Sequence, residues 1–328
     1  MHQETISASE LERYCYCPLS WWLSLEVQVT SEALKRGDQE HETFSRDLNL
    51  IVKRETEARN WEIVVLVFSV IATILGLVGL SLMGLASSGE ISAVLSIISI
   101  VWIGAALFFL YRSTSHKDER RSAKSERGVA IAAIIAMVVA LNSVTLSHQD
   151  FTLAIVLEVA ALVWLIGASL ALQNSLGSSR EASRKRQAQM IEGDIKYVGV
   201  NGSRLLRSEK YGLNGRPDYI LELNGELVPV EIKTGRRPKG PLFSHIIQVA
   251  AYCLLVSDVM ARNVTHGLLR YGDEEHEVEF NEDLRDLVIS KLDEMRERKR
   301  SGNVHRNHNR PGKCRSCSRR EVCPERLD

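Results

Sequence analysis

The chain has no net charge: 41 Lys and Arg offset 41 Asp and Glu. That balance excludes indiscriminate electrostatic attraction to nucleic acid, although a local basic groove stays compatible with it. The amino terminus, "MHQETISASELERYC", lacks the apolar core of a secretory signal, so no signal peptide is expected. No internal repeat is visible, which sets aside a repeat architecture. Charge is also nearly missing from four runs: 63–86, 91–111, 129–146 and 151–172. At about 1.5 Å per residue each is long enough to cross a hydrocarbon core of about 30 Å, with 129–146 the shortest.

Basic residues are equally uneven in the loops between these runs. "SSGE" (Ser87 to Glu90) and "SHQD" (Ser147 to Asp150) hold no Lys or Arg, whereas the central loop carries Arg112, Lys117, Arg120, Arg121, Lys124 and Arg127. Lys53, Arg54 and Arg59 precede the first run; Arg180, Arg184, Lys185 and Arg186 follow the last. Positive charge collects on the cytoplasmic side, so four transmembrane helices with both termini in the cytoplasm are expected. The chain then divides into a helical part at 1–61, a membrane insertion at 62–172 and a core at 173–328. Glu158 lies inside the fourth span, where its simplest role is to bond a neighbour such as Asn142 and hold helices together.

The flanks read as a mixed α/β fold. Ser7 followed three residues later by Glu10 is a capping-box pattern, and a helix from there is interrupted near Pro18. A second helix is expected from Ser31 to about Asn60, running into the first span. In "DYILELNGELVPVEIKTG" apolar and polar residues alternate on either side of Asn224-Gly225, which predicts an antiparallel hairpin of 219–223 with 227–233. "PLFSHIIQVAAYCLLVSDV" reads as an amphipathic helix, "THGLLRYG" as a strand and "NEDLRDLVISKLDEMRERKR" as a closing helix. That order implies helices packed on a mixed sheet.

In a strand, residues two apart share a face, so Glu231 and Lys233 project together, and Asp218 at the start of the partner strand is within reach of the same place. Two carboxylates beside a lysine suit Mg²⁺ or Mn²⁺ and phosphodiester hydrolysis; a Glu-x-Lys pair is also what an ordinary cross-strand ion pair looks like. The ordered set "GRPD", hairpin, "VPVEIKTG", then "QVAAY" resembles the PD-(D/E)XK nuclease superfamily. Within it the chain is most similar to RecB-type exonucleases, specifically the CRISPR-associated RecB-like exonucleases that carry an iron-sulfur cluster. The resemblance implies a restriction-endonuclease-like core and DNA as the substrate, as single-stranded or unwound ends. It implies that Asp218, Glu231 and the Ile232 carbonyl bind the metal, that Lys233 is the catalytic lysine, and that Gln248 and Tyr252 lie beside the DNA cleft. It also implies a histidine ligand from an upstream helix, and "RGDQEHE" offers His41.

Six cysteines occur, and "CRSCSRREVCP" groups Cys314, Cys317 and Cys323 as C-x2-C-x5-C. On the reducing side of a membrane this reads as a metal centre rather than disulfides. The fourth thiolate is expected from "CYCP", as Cys17 or Cys15, and four thiolates hold either Zn²⁺ or a 4Fe–4S cluster. The resemblance selects Cys17 and the cluster, which would staple the two ends of the chain together. Cys253 reads as a buried core residue. The basic stretch Arg296 to Arg300 has two readings, phosphate contact or a solvated helix end.

The expected protein is a membrane-anchored, metal-dependent DNA exonuclease. Two competitors make different demands. A DNA-tethering or sensing protein would retain DNA without cutting it, and a pore centred on Glu158 would need more polar residues in the spans than are present.

Overall fold

A computed structural model of the chain describes residues 5–27, 32–82, 151–199, 203–234 and 237–328. The expected spans 91–111 and 129–146, the end of the first span, Asn142 and the Glu158 side chain lie outside the described residues. The chain divides into two compact units, Met1–Val52 with Ser183–Asp328, and Lys53–Ala182.

The first unit opens with the short strand β1 (Ile6–Ser7) and helix α1 (Ala8–Tyr16). Ser7 Oγ accepts from the Glu10 amide at 3.1 Å and Glu10 Oε2 accepts from the Ser7 amide at 2.9 Å, the reciprocal capping box its sequence predicts. Cys17 is extended, and Pro18 begins α2 (Pro18–Glu26) in the first turn, where a missing N–H costs nothing. Two long helices follow, α3 (Glu32–Leu82) and α4 (Phe151–Ala188), of which residues up to Val52 and from Ser183 belong to this unit.

Strands β2 (Asp194–Val198), β3 (Leu206–Ser208), β4 (Leu213–Gly215), β5 (Tyr219–Leu223) and β6 (Glu226–Ile232) come next. Helix α5 (Phe243–Met260), strands β7 (His266–Tyr271) and β8 (Glu274–Glu279), helix α6 (Glu282–Ser301) and one turn, α7 (Pro311–Arg315), complete the unit. The main sheet runs β2-β5-β6-β7-β8, with β6 and β7 parallel and every other pair antiparallel; a smaller sheet runs β1-β4-β3. The turn between β5 and β6 has Asn224 at φ 51° and Gly225 at φ 86°, the left-handed pair that matches strand twist in a two-residue hairpin.

Alternation along β6 divides the sheet chemically. Val228 and Val230 pack with Tyr219, Leu221 and Leu268 against Leu48 and Ile51 of α3, while Leu227 faces the larger core formed by α1, α5 and α6. Glu231 shares the parity of Leu227, and Ile232 that of Val230. One expectation needs correcting here: α5 is not amphipathic. It is buried on nearly every face, because it carries the crossover from β6 to β7 and lies between the sheet and α1 and α6.

In the second unit the helical segments meet through close packing. Trp164 stands edge-on to Phe68 at 4.4 Å between ring centroids, and a side-chain carbon at Gly167 would come within 2.3 Å of that Phe68 ring. Ser175 Oγ donates to the Ala58 carbonyl at 3.1 Å, and Arg54 Nε pairs with Glu181 at 2.9 Å. Ile63, Val67, Val156, Leu162, Val163 and Ile166 face outward. Among the described residues, three helices are long and apolar enough to cross a membrane by length and composition, Gln39–Gly76, Ile155–Ala188 and Phe243–Met260, but the third is α5, the core helix.

Candidate functional site

Asp218 sits just before β5, Glu231 and Ile232 end β6, and Lys233 follows directly. The hairpin therefore brings the two carboxylates together without long-range folding. The Ile232 amide donates to Asp218 Oδ2 at 2.6 Å, which ties the acid to the strand carrying Glu231. The Lys233 amide donates to the Arg270 carbonyl at 2.8 Å, which fixes the same strand end to β7. From α3, His41 Nδ1 lies 3.0 Å from Asp218 Oδ1.

Glu231 is only 6% exposed, so its carboxylate depends on neighbours. Lys233 Nζ lies 3.0 Å from Glu231 Oε1, and Gln248 Nε2 donates to that same oxygen at 2.9 Å. Gln248 Oε1 accepts from Lys233 Nζ, and its amide also donates to Tyr252 Oη at 3.2 Å. Gln248 and Tyr252 lie one turn apart on α5 and form a buried bridge across the acid–lysine pair.

Burial pushes the Glu231 carboxyl up to about 7, against the pull of the Lys233 ammonium. For Lys233 burial works the other way, but Glu231, Glu12 and Asp218 outweigh it and hold the group as an ammonium. The His41 imidazole is raised, chiefly by its bond to Asp218. Among the described residues no three His, Cys, Asp or Glu side chains converge to metal-holding distance. The donors gathered here are two carboxylates, one imidazole and the Ile232 peptide. Their hard oxygens and single nitrogen fit Mg²⁺ or Mn²⁺ better than a thiophilic metal.

Cys17, Cys314, Cys317 and Cys323 line one pocket, whereas Cys15 belongs to the hydrophobic core. The terminal segments are tied there: Tyr16 Oη donates to the Lys313 carbonyl at 2.8 Å, and Lys313 Nζ donates to the Tyr16 carbonyl at 2.9 Å. Ser20 Oγ lies 3.4 Å from Cys317 Sγ. The charged residues lining this pocket are all basic: Arg306, Lys313, Arg319, Arg320 and Arg326. Arg319 Nε is buried without a hydrogen-bond partner among the described residues. A shell of this kind fits four thiolates and the negative charge that they bring. All six cysteines are free thiols, and burial raises those of Cys15, to about 12, and Cys17.

The basic stretch at the end of α6 is largely engaged. Arg296 donates to the Tyr211 carbonyl at 2.6 Å and to Asp293 at 2.7 Å, Arg298 to the Asn303 carbonyl at 3.0 Å, and Arg300 to Glu297 at 2.9 Å. Arg296 is thus drawn into the fold, whereas Arg300 stays exposed in its pair with Glu297.

Sequence reasoning missed a polar group beside Lys233. His245, one turn before Gln248, places Nδ1 2.7 Å from Tyr271 Oη, and Nε2 lies 3.7 Å from Glu12. Burial and Lys233 together depress this imidazole to about 3, so the approach to Glu12 is not an ion pair. The i, i+3 spacing from Gln248 was the available signal.

Comparisons with known proteins agree in direction. A family model described as "PD-(D/E)XK nuclease superfamily" matches residues 106–324. That segment contains Asp218 to Tyr252 and three of the four pocket cysteines; His41 and Cys17 precede it. The CRISPR-associated exonuclease Cas4 of Francisella tularensis subsp. novicida (strain U112) is 26% identical over 136 residues, 42% of this chain and 66% of that protein. A CRISPR-associated exonuclease Cas4/endonuclease Cas1 fusion of Leptospira interrogans serogroup Icterohaemorrhagiae serovar Lai (strain 56601) is 32% identical over 126 residues, 35% of this chain and 23% of that protein. The CRISPR-associated exonuclease Cas4 of Thermoproteus tenax (strain ATCC 35583 / DSM 2078 / JCM 9277 / NBRC 100435 / Kra 1) is 28% identical over 116 residues, 34% of this chain and 59% of that protein. The chain thus spans less than two thirds of the length of each relative.

Proposed function

This chain belongs to the PD-(D/E)XK nuclease superfamily, and on that premise we propose that it is a membrane-anchored, divalent-metal-dependent DNA exonuclease acting on single-stranded or unwound ends. The observation that carries the reading is the contact of His41 with Asp218 beside a buried Glu231–Lys233–Gln248 network. The relatives named as exonucleases favour that activity over a tethering role.

His41, Asp218, Glu231 and the Ile232 carbonyl would hold Mg²⁺ or Mn²⁺. Such a cation supplies Lewis acidity at a phosphoryl oxygen and lowers the pKa of bound water. The protein's own contribution is orientation. Ile232 N–H fixes one oxygen of Asp218. Gln248 accepts from Lys233 and donates to Glu231, which aligns the ammonium with the acid pair. Lys233 then stays charged and donates to the attacking water or to the phosphoryl oxygens as negative charge grows. Tyr252, within the core, accepts from the Gln248 amide and helps to hold it in that orientation.

Cys17, Cys314, Cys317 and Cys323 would hold a 4Fe–4S cluster, or less suitably Zn²⁺, as a staple between the two ends of the chain. The nuclease part, 1–61 and 173–328, would be interrupted by four spans within 62–172, keeping both termini cytoplasmic. Outward-facing apolar residues on α3 and α4 support the lipid contact, and an even number of crossings is what His41 and Asp218 require to share one side. The fused relative makes DNA-processing proteins a candidate partner class.

The test is cleavage of end-labelled single-stranded DNA by the detergent-solubilised chain with Mn²⁺ or Mg²⁺. Turnover that depends on the metal and disappears in Glu231→Ala supports the proposal; DNA retention without cleavage under either metal favours the tethering reading.

A further inference from the structure

Arg270 is 4% exposed, an unusual state for a guanidinium, and it lies outside the acid–lysine network. It pairs in register with Ile232, so its side chain emerges on the α3 face of the sheet, opposite Glu231 and Lys233. Its main-chain carbonyl accepts the Lys233 amide at 2.8 Å. Its side chain reaches across β6 to β5, where Nη1 donates to Tyr219 Oη at 3.0 Å, while Nη2 donates to the Gln189 carbonyl just past α4 at 2.9 Å. Nε has no hydrogen-bond partner among the described residues and lies 3.7 Å from Glu275.

Tyr219 is the residue after Asp218, and Lys233 is the residue after Ile232. One side chain and its own carbonyl therefore grip both strands that deliver the proposed metal ligands. A buried ion seldom adds stability over a well-packed apolar residue of similar volume, so core stability alone gives no reason for an arginine at this point.

We propose that Arg270 is a positioning residue for the cation site, clamping β5 to β7 across β6 so that Asp218 and the Ile232–Lys233 peptide keep their spacing. Through Gln189 the clamp also holds the chain that leaves α4. The inference rests on the nuclease reading above, and it acts through Tyr219 rather than by contact with substrate.

The experiment compares wild type, Tyr219→Phe, Arg270→Met, Arg270→Lys and the Tyr219→Phe/Arg270→Met double variant as full-length protein in detergent. Mn²⁺ affinity, kcat and KM on end-labelled single-stranded DNA, and thermal unfolding are read for each. A ligand displaced by about 1 Å costs up to about 100-fold in rate, so Arg270→Met is expected to lower kcat by about 10- to 100-fold and to weaken Mn²⁺ binding, with KM for DNA little changed. Tyr219→Phe is expected to reproduce part of that loss, the double variant to be no worse than Arg270→Met alone, and Arg270→Lys to recover part of it. Effects of the two substitutions that multiply, or a lowered Tm with Mn²⁺ affinity and kcat unchanged, overturn the proposal. If Arg270→Met does not fold, an unaltered Mn²⁺ affinity and kcat in Tyr219→Phe overturn it as well. A wild type that neither binds Mn²⁺ nor cuts DNA refutes the nuclease reading itself, whereas an active wild type with unaffected variants refutes only the clamp.

Discussion

His41 Nδ1 and Asp218 Oδ1 lie 3.0 Å apart although 177 residues separate them in the chain. A contact spanning that separation makes one side of the proposed cation site come from the helix that leads into the apolar region and the other from the hairpin beyond it. Replacing His41 with Ala should weaken Mn²⁺ binding by at least about 10- to 100-fold, the loss typical even of groups that only support a ligand. Titration calorimetry measures it, and an unchanged affinity would remove the imidazole from the ligand set.

Gln248 is 3% exposed and shares hydrogen bonds with Glu231, Lys233 and Tyr252. Gln248→Leu keeps the volume but leaves a buried carboxylate short of a donor. The expected cost is about 1–3 kcal/mol of stability, read from urea unfolding. Turnover should fall with it, because Lys233 loses the acceptor that orients it.

His245 provides a pH signature. Its folded pKa, about 3, lies below the ordinary histidine value, so between them the unfolded chain binds a proton that the folded chain does not. Stability contributed by the neutral ring is therefore present above about pH 6.5 and lost as pH falls toward 3, by up to about 1.4 kcal/mol per pH unit. Lys233, Glu12 and Tyr271 are the groups that face it. His245→Gln should flatten the acid limb of a stability profile measured from pH 6.5 to 4. An identical slope in the variant would show that the ring is charged in the fold.

The four pocket cysteines predict a selective pattern. Ser at position 17, 314, 317 or 323 should abolish iron and sulfide binding in an anaerobic preparation, while Cys15→Ser and Cys253→Ala should retain both. Zinc in place of iron would leave the staple and exclude the cluster. Iron lost in Cys15→Ser but kept in Cys17→Ser would reverse the ligand assignment, against the pocket that Cys17 lines.

Much of this was legible because it is local. Asn224-Gly225 specifies its turn by backbone conformation, Ser7 and Glu10 specify a cap, and the period of two in "VPVEI" already places Glu231 opposite Val230. Helix α5 was misjudged because an apolar helix looks amphipathic until its neighbours are known; Gln248 is polar yet buried, since it satisfies Glu231 rather than water. Strand β8, "EEHEVE", escaped notice because as an edge strand it buries little beyond Val278. Arg270 carries no signal in "THGLLRYG" that sets it apart from an ordinary strand residue. Only the tertiary positions of Tyr219 and Gln189 reveal that it is interior.

The most direct measurement is electron spin-echo spectroscopy of Mn²⁺ bound to the solubilised full-length protein. One bound ion per chain is predicted, with nitrogen coupling that vanishes in His41→Gln and binding that is lost when Asp218 and Glu231 are both replaced by Ala. Nitrogen coupling that persists in His41→Gln, or Mn²⁺ that binds as well without the two carboxylates, would contradict the convergence of helix and hairpin on a single cation.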